Sequence, residues 1–80
     1  MVRLLNAFSL NMLTDNEGTI RYRQITLEQA KGFLVEHGFE SFVGHTDTAR
    51  VMSQLLGLEV APNRGNAVLR KGDVAIVGQY

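Results

Sequence analysis

The 80-residue sequence contains no cysteine and no tryptophan, and it has a single proline. Without cysteine, disulfide bonds, thiolate zinc sites and a cysteine nucleophile are excluded. Basic and acidic residues balance at eight each, so the chain lacks the basic excess of proteins that coat long DNA or RNA. The N-terminal apolar run is too short for a signal peptide or a membrane span. These absences favour a cytoplasmic protein with no membrane partner and no long nucleic acid, while a small anionic ligand remains compatible.

The small size of the chain bears on how it is stabilised. A domain of this length buries only about 60–65% of the surface that its unfolded chain exposes, so its core is marginal. Disulfides, a metal or a partner subunit usually add the missing stability. Because disulfides are excluded, we expect a homodimer.

Short apolar or alternating runs predict strands, and two of them flank a tight turn that is typical of a hairpin. The predicted strands cover residues 2–7, 19–25, 39–43, 68–70 and 74–78. Strands and helices alternate early in the chain and the hairpin comes late. This order predicts an α/β fold, a small mixed β-sheet flanked by helices, in a single domain over residues 1–80.

Two helices are predicted both from the residues at their ends and from the spacing of their apolar residues. Thr26 and Gln29 form a capping-box pattern before a helix that Gly38 would end. Thr46 opens a second helix that Gly57 would end. Within both segments apolar residues recur at the spacing of one helical face.

His45 is the most informative polar residue. It lies in Gly44-His45-Thr46, between a predicted strand and the start of a helix. A helix start presents unpaired N–H groups and suits a phosphate, which Thr46 would also contact, and Gly44 would let the backbone approach it. A histidine beside that phosphate can protonate a leaving oxygen near neutral pH. Position alone favours the alternative, in which His45 is a helix-entry residue that bonds to a neighbouring carbonyl.

A second polar cluster, formed by Asn6, Ser9 and Asn11, follows the first strand. Ligands of open α/β sheets bind beyond the carboxyl ends of the strands, and these side chains can hydrogen-bond a ribose, a base or a phosphate. The alternative is local: Ser9 caps a helical turn through Asn11 and Met12, and Asn6 satisfies a bend.

Among the basic residues, Arg64 lies in a turn where a guanidinium can fork onto phosphate oxygens, although such arginines are commonly solvated. Arg21 and Arg23 share one face of a predicted strand and are interpreted as a solvated face. His37, at the end of the first helix, suits the helix dipole better than catalysis.

The sequence has no glycine-rich phosphate loop, no cluster of residues with metal-ligand spacing and no carboxylate pair for two-metal cleavage. We therefore expect no cofactor and no metal. If the protein cuts RNA, the 2′-hydroxyl of the substrate is the expected nucleophile.

The run Leu5-Asn6-Ala7-Phe8-Ser9-Leu10-Asn11-Met12-Leu13 resembles the NAFS-x-NML signature of the viral type III anti-CRISPR ring nucleases, a family with cellular members. Three further blocks resemble that family in the same order, so the likeness covers nearly the whole chain. These are the Gly44-His45 pair, the Asn63-Arg64 turn, and the Gly72-Asp73 to Gln79 ending.

The resemblance implies that the protein binds cyclic tetra-adenylate and cleaves it without metal to linear di-adenylate, which switches off type III CRISPR signalling. It implies that His45 is the catalytic residue and that Ser9, Asn11, Arg64 and Gln79 contact the ligand. Family members usually continue into a loop with an arginine and a glutamate that closes over the ligand, and nothing before Tyr80 matches it. We therefore expect that a C-terminal lid segment is lacking, which leaves a non-catalytic binding module as the alternative.

Overall fold

Three parallel strands form the centre of the fold, which a computed structural model describes for residues 1–78. They are β1 (Val2–Leu5), β2 (Glu40–Phe42) and β3 (Val74–Val77), in the spatial order β2-β1-β3. The central strand β1 pairs on both sides, so that Leu4 lies opposite Ser41 of β2 and Ile76 of β3. The central position of β1 agrees with its burial, because Val2, Leu4 and Leu5 are buried and Arg3 is the one polar residue in the strand.

Two helices connect and cover the sheet. α1 (Leu27–His37) begins at the predicted capping box, in which the Thr26 hydroxyl accepts from the Gln29 N–H at 3.1 Å and the Gln29 side chain accepts from the Thr26 N–H at 3.0 Å. α2 (Thr46–Leu56) begins where predicted. Both helices end at glycines with positive φ, 70° at Gly38 and 66° at Gly57, which side-chain-bearing residues adopt only with strain.

The two faces of β1 pack against different layers. Val2 and Leu4 point toward α1 and α2, where the core residues Ala30, Leu34, Ala49, Met52 and Leu56 lie. Leu5 points to the opposite face, where Ala67 and Leu69 from an irregular segment cover it. Leu4 and Leu5 are each 1% exposed, and burial of each such side chain contributes about 1.5–3 kcal/mol.

The α/β class is confirmed, but two predicted strand segments are wrong. Residues 19–25 lie outside the helices and strands and are exposed throughout. Ile20 is 53% and Tyr22 88% exposed, so these apolar side chains make no core contact that would hold the segment in the sheet. The predicted hairpin is also absent. Its turn forms, with the Asp73 N–H donating to the Arg70 carbonyl at 2.9 Å, yet β3 pairs in parallel with β1 rather than with residues 68–70.

The physical reason lies in β3 itself. Ile76 packs on the helix-covered core, so β3 gains more by lying beside β1 than by folding back on residues 68–70. Leu69 instead forms an isolated parallel bridge with Leu13. The described sheet is therefore parallel rather than mixed.

A group of charges holds the amino ends of the strands together. The Arg3 guanidinium lies 3.6 Å from the Glu40 carboxylate and 3.9 Å from that of Asp73, and the amino group of Met1 lies 3.7 Å from Asp73. The Arg70 N–H that donates to Asp73, followed by the charges of Arg3 and the N-terminus, holds the pKa of Asp73 below its usual range. This cluster lies at the edge opposite to the carboxyl ends of the strands.

Of the helices within residues 1–78, neither is long and apolar enough to cross a membrane.

Candidate functional site at the carboxyl edge of the sheet

The carboxyl ends of the three strands bring polar residues to one edge. Asn6 follows β1, and its side-chain oxygen accepts from the Gly44 N–H at 3.4 Å, just beyond β2. On the other side of β1, the Gly78 N–H beyond β3 donates to the Leu5 carbonyl at 2.9 Å. Asn6 therefore joins the first strand to the segment that carries His45, at the edge where parallel sheets bind ligands.

His45 occupies the N-cap position of α2, immediately before the first helical residue. Its backbone is extended, with φ −125° and ψ 134°, and its carbonyl accepts from the Ala49 N–H at 2.9 Å as the first bond of the helix. The imidazole is exposed and makes no capping bond, and no hydrogen bond within residues 1–78 ties it to a neighbouring carbonyl. The ring nitrogens thus remain available to a ligand, as do the N–H groups of the first turn.

The surroundings of the helix start are open. A Cβ atom at Gly44 would meet no atom within 4 Å, so a ligand can approach the backbone there. Thr46, the first residue of α2, is exposed and can offer its hydroxyl. Asp47, also in the first turn, interacts favourably with the helix dipole but places a negative charge next to the position of a bound anion.

A rigid turn brings Arg64 to the same edge. The Asn63 N–H donates to the Val43 carbonyl at 2.8 Å, two residues before His45. The Asn63 side chain donates to the Ser41 carbonyl at 2.9 Å and accepts from the Gly65 N–H at 2.8 Å. Asn63 therefore fixes the turn to β2, while the Arg64 side chain is exposed. A guanidinium in such a place can fork onto phosphate oxygens.

Asn63 and Ser41 are positioning residues that the sequence reasoning missed. The Ser41 carbonyl accepts a hydrogen bond from the Asn63 side chain, and the Ser41 hydroxyl donates to the Ala61 carbonyl at 2.7 Å. The Asn63-Arg64-Gly65 spacing carried a usable signal, since an asparagine commonly accepts from the N–H two residues later. No sequence signal pointed to Ser41, because its partner lies 20 residues away.

Asn11 lies on the short 3₁₀ helix Leu10–Met12, and Ser9 precedes this helix and caps it as expected by accepting from the Asn11 N–H at 3.2 Å. Both side chains are exposed. This helix is held to the face opposite α1 and α2, because the Met12 carbonyl accepts from the Leu69 N–H at 2.7 Å. No hydrogen bond in the described part of the chain joins Ser9 or Asn11 to His45.

The remaining candidates lie apart from this edge or outside the described chain. His37 ends α1 near the amino ends of the strands, with its ring 4.3 Å from that of Phe33. Arg21 and Arg23 are exposed in the segment that precedes α1. Gln79 lies outside the described residues. The structure thus brings together Asn6, His45, Thr46 and Arg64.

The described residues contain no group of three or more His, Asp or Glu side chains that could hold a metal ion. Groups at the carboxyl edge instead comprise an imidazole, a guanidinium, amide and hydroxyl side chains, and free N–H groups. Such a set can bind an anion and exchange a proton with it.

Comparison with known proteins identifies relatives of this chain. The model of the STIV B116-like family matches residues 2–80. The solved structure of B116 of Sulfolobus turreted icosahedral virus is 30% identical, with a TM-score of 0.84 over 95% of this chain and 69% of that one. Uncharacterized protein 26 of Sulfolobus islandicus filamentous virus is 33% identical over 73 residues, and the Bacillus subtilis protein YddF is 32% identical over 60 residues.

These two sequence matches cover 91% and 72% of this chain, but only 62% and 56% of the respective relatives. It therefore spans somewhat more than half the length of the relatives it matches. Because the family model covers nearly the whole chain and the B116 structure reproduces its fold, the protein belongs to the STIV B116-like family.

Proposed function

We propose that this protein is a ring nuclease that binds cyclic tetra-adenylate and cleaves it to linear di-adenylate, and thereby switches off type III CRISPR signalling. The observation that carries the proposal is the exposed imidazole of His45 at the N-cap position of α2, which makes no hydrogen bond within residues 1–78 and lies next to Asn6 and the fixed turn of Arg64. The family resemblance of the NAFS-x-NML run, the Gly44-His45 pair and the Asn63-Arg64 turn supplies the identity of the ligand.

The proposed reaction uses the substrate's own nucleophile. A ribose 2′-oxygen attacks the adjacent phosphorus and the P–O5′ bond breaks, while the 2′-hydroxyl proton passes to water. The protonated His45 imidazole donates its proton to the leaving 5′-oxygen, so each cut leaves a 2′,3′-cyclic phosphate and a 5′-hydroxyl. Two cuts convert the ring into two di-adenylates.

Each neighbouring group has a role in this proposal. N–H groups and the Thr46 hydroxyl at the start of α2 hold the phosphate, and Arg64 neutralises its charge. Asn6 orients the Gly44-His45 segment through its hydrogen bond to Gly44. General acid catalysis supplies typically about 10²–10⁴-fold, and positioning and charge stabilisation supply the remainder.

We propose that the active form is a homodimer. A four-membered adenylate ring can have two-fold symmetry, so an isologous dimer would place one copy of His45 and Arg64 at each of two opposite phosphates. Ser9, Asn11 and Gln79 are proposed to contact the bases and riboses of the ring.

Incubation of the protein with cyclic tetra-adenylate in EDTA, followed by chromatography, tests the proposal. Conversion to di-adenylate with a 2′,3′-cyclic phosphate end is the expected result. Uncut ligand that stays with the protein on a desalting column would support the alternative, a binding module that sequesters the ring. If the protein neither cuts nor retains the ring, both functions are contradicted.

A further inference from the structure

The segment that links the 3₁₀ helix to α1, residues 14–25, forms neither a helix nor a strand in the single chain. All of its residues are exposed, including Ile20 at 53% and Tyr22 at 88%. Among the hydrogen bonds within residues 1–78, none involves the backbone of residues 14–25. An extended segment whose backbone N–H and C=O groups lack partners is a template for pairing with another strand.

The charges along this segment are self-complementary. Asp15 and Glu17 lie at its start and Arg21 and Arg23 near its end, all at alternate positions that also include Thr19. When two copies run antiparallel about a two-fold axis at Thr19, Glu17 of each faces Arg21 of the other and Asp15 faces Arg23. Opposite charges at directly opposed positions stabilise a strand pair, and like charges destabilise it. Centring the pair on Arg21 instead would place that arginine opposite itself.

The other face of the segment fits the same register. Ile20 faces Gly18 of the second copy and Tyr22 faces Asn16, so neither apolar side chain meets a bulky one. The chain bends at residues 15–17 in the single copy, and no hydrogen bond within the described chain fixes that bend. It can therefore extend against a partner strand.

We infer that residues 14–25 form the interface between two copies of this chain, paired as antiparallel strands about Thr19. The inference takes the homodimer from the proposed function and assigns its surface. Ile25 and Leu27 line a groove together with Val77 and Gly78, beyond the end of β3, while the 3₁₀ helix follows the end of β1. Both ends of the segment thus lie near the carboxyl edge of the sheet, the edge that carries the candidate site.

Charge reversal with recombination tests the interface by sedimentation velocity at low salt and without nucleotide. The acid-reversed variant carries Asp15→Arg and Glu17→Arg, and the base-reversed variant carries Arg21→Glu and Arg23→Glu. We expect wild type to be dimeric, each variant to dissociate at least about tenfold more readily, and an equimolar mixture of the two to recover a dimer. Circular dichroism of each variant should match wild type, because the four side chains are exposed.

A control variant with Glu36→Arg and Glu59→Arg has the same net charge as the acid-reversed variant, but its changes lie outside the segment. It should dimerise like wild type. A monomeric wild type, reversed variants that stay dimeric, a mixture that stays monomeric, or a control that dissociates equally would each overturn the inference. These measurements are made without nucleotide. A negative result on the interface can therefore be distinguished from a negative result in the nuclease assay.

Discussion

Replacement of Asn63 by alanine is predicted to destabilise the protein and also to weaken ligand binding, because this side chain fixes the turn that carries Arg64. Alanine removes the bond donated to the Ser41 carbonyl at 2.9 Å and the bond accepted from the Gly65 N–H at 2.8 Å. Each hydrogen bond contributes a net of about 0.5–1.5 kcal/mol, so the free energy of unfolding should fall by about 1–3 kcal/mol.

For a domain of this size each kcal/mol corresponds to about 4–8 °C, so thermal unfolding should shift downward by roughly 4–24 °C. Asn66→Ala is the matched control, since Asn66 is exposed in the same segment and its side chain makes no hydrogen bond within residues 1–78. Below the transition, Asn63→Ala should bind cyclic tetra-adenylate more weakly than Asn66→Ala. A melting temperature within 1–2 °C of wild type would refute the structural reasoning, and lower stability with unchanged affinity would show that the turn does not serve the site.

Three further predictions concern the fold. Leu34→Ala should lower the free energy of unfolding by about 2–5 kcal/mol in urea titrations, because Leu34 is 1% exposed in the core; a loss below about 1 kcal/mol would contradict this. Thr26→Ala should cost about 0.5–2 kcal/mol, since it removes the cap of α1, and Thr26→Ser should restore most of the loss. Asp73 has a folded-state pKa below its usual 3.8, so its contribution to stability is present above that value and is lost as the pH falls through the folded pKa. Unfolding measured from pH 6 to pH 2 should therefore vary less with pH in Asp73→Asn, and equal pH profiles would count against the charge cluster.

Local signals in the sequence predicted much of this fold. The capping box at Thr26 and Gln29, the glycine after each helix and the apolar run of β1 depend on neighbouring residues alone, and all three features are confirmed. The short turn before β3 was also correctly expected from Gly72, but it does not join two paired strands.

What the sequence could not show is which strands pair. β3 and residues 68–70 have the composition of a hairpin, whereas β3 lies beside β1 through long-range core contacts of Ile76 and Ala75. The alternation of residues 19–25 indicated a strand without indicating a partner, and the single chain contains none within its described residues. At the site, His45 and Asn6 were chosen from local patterns, whereas the hydrogen bonds that join Asn6 to Gly44 and Asn63 to Ser41 span 38 and 22 residues and become visible only in three dimensions.

The most direct test of the central claim is single-turnover cleavage of cyclic tetra-adenylate in EDTA by wild type and His45→Ala, with binding of the intact ring measured for both. His37→Ala, at the opposite edge of the sheet, is the control for loss of a histidine. We expect His45→Ala to cleave about 10²–10⁴-fold more slowly while binding within a few-fold of wild type, and His37→Ala to cleave normally. Cleavage by His45→Ala at the wild-type rate would contradict the assignment of His45 as the general acid.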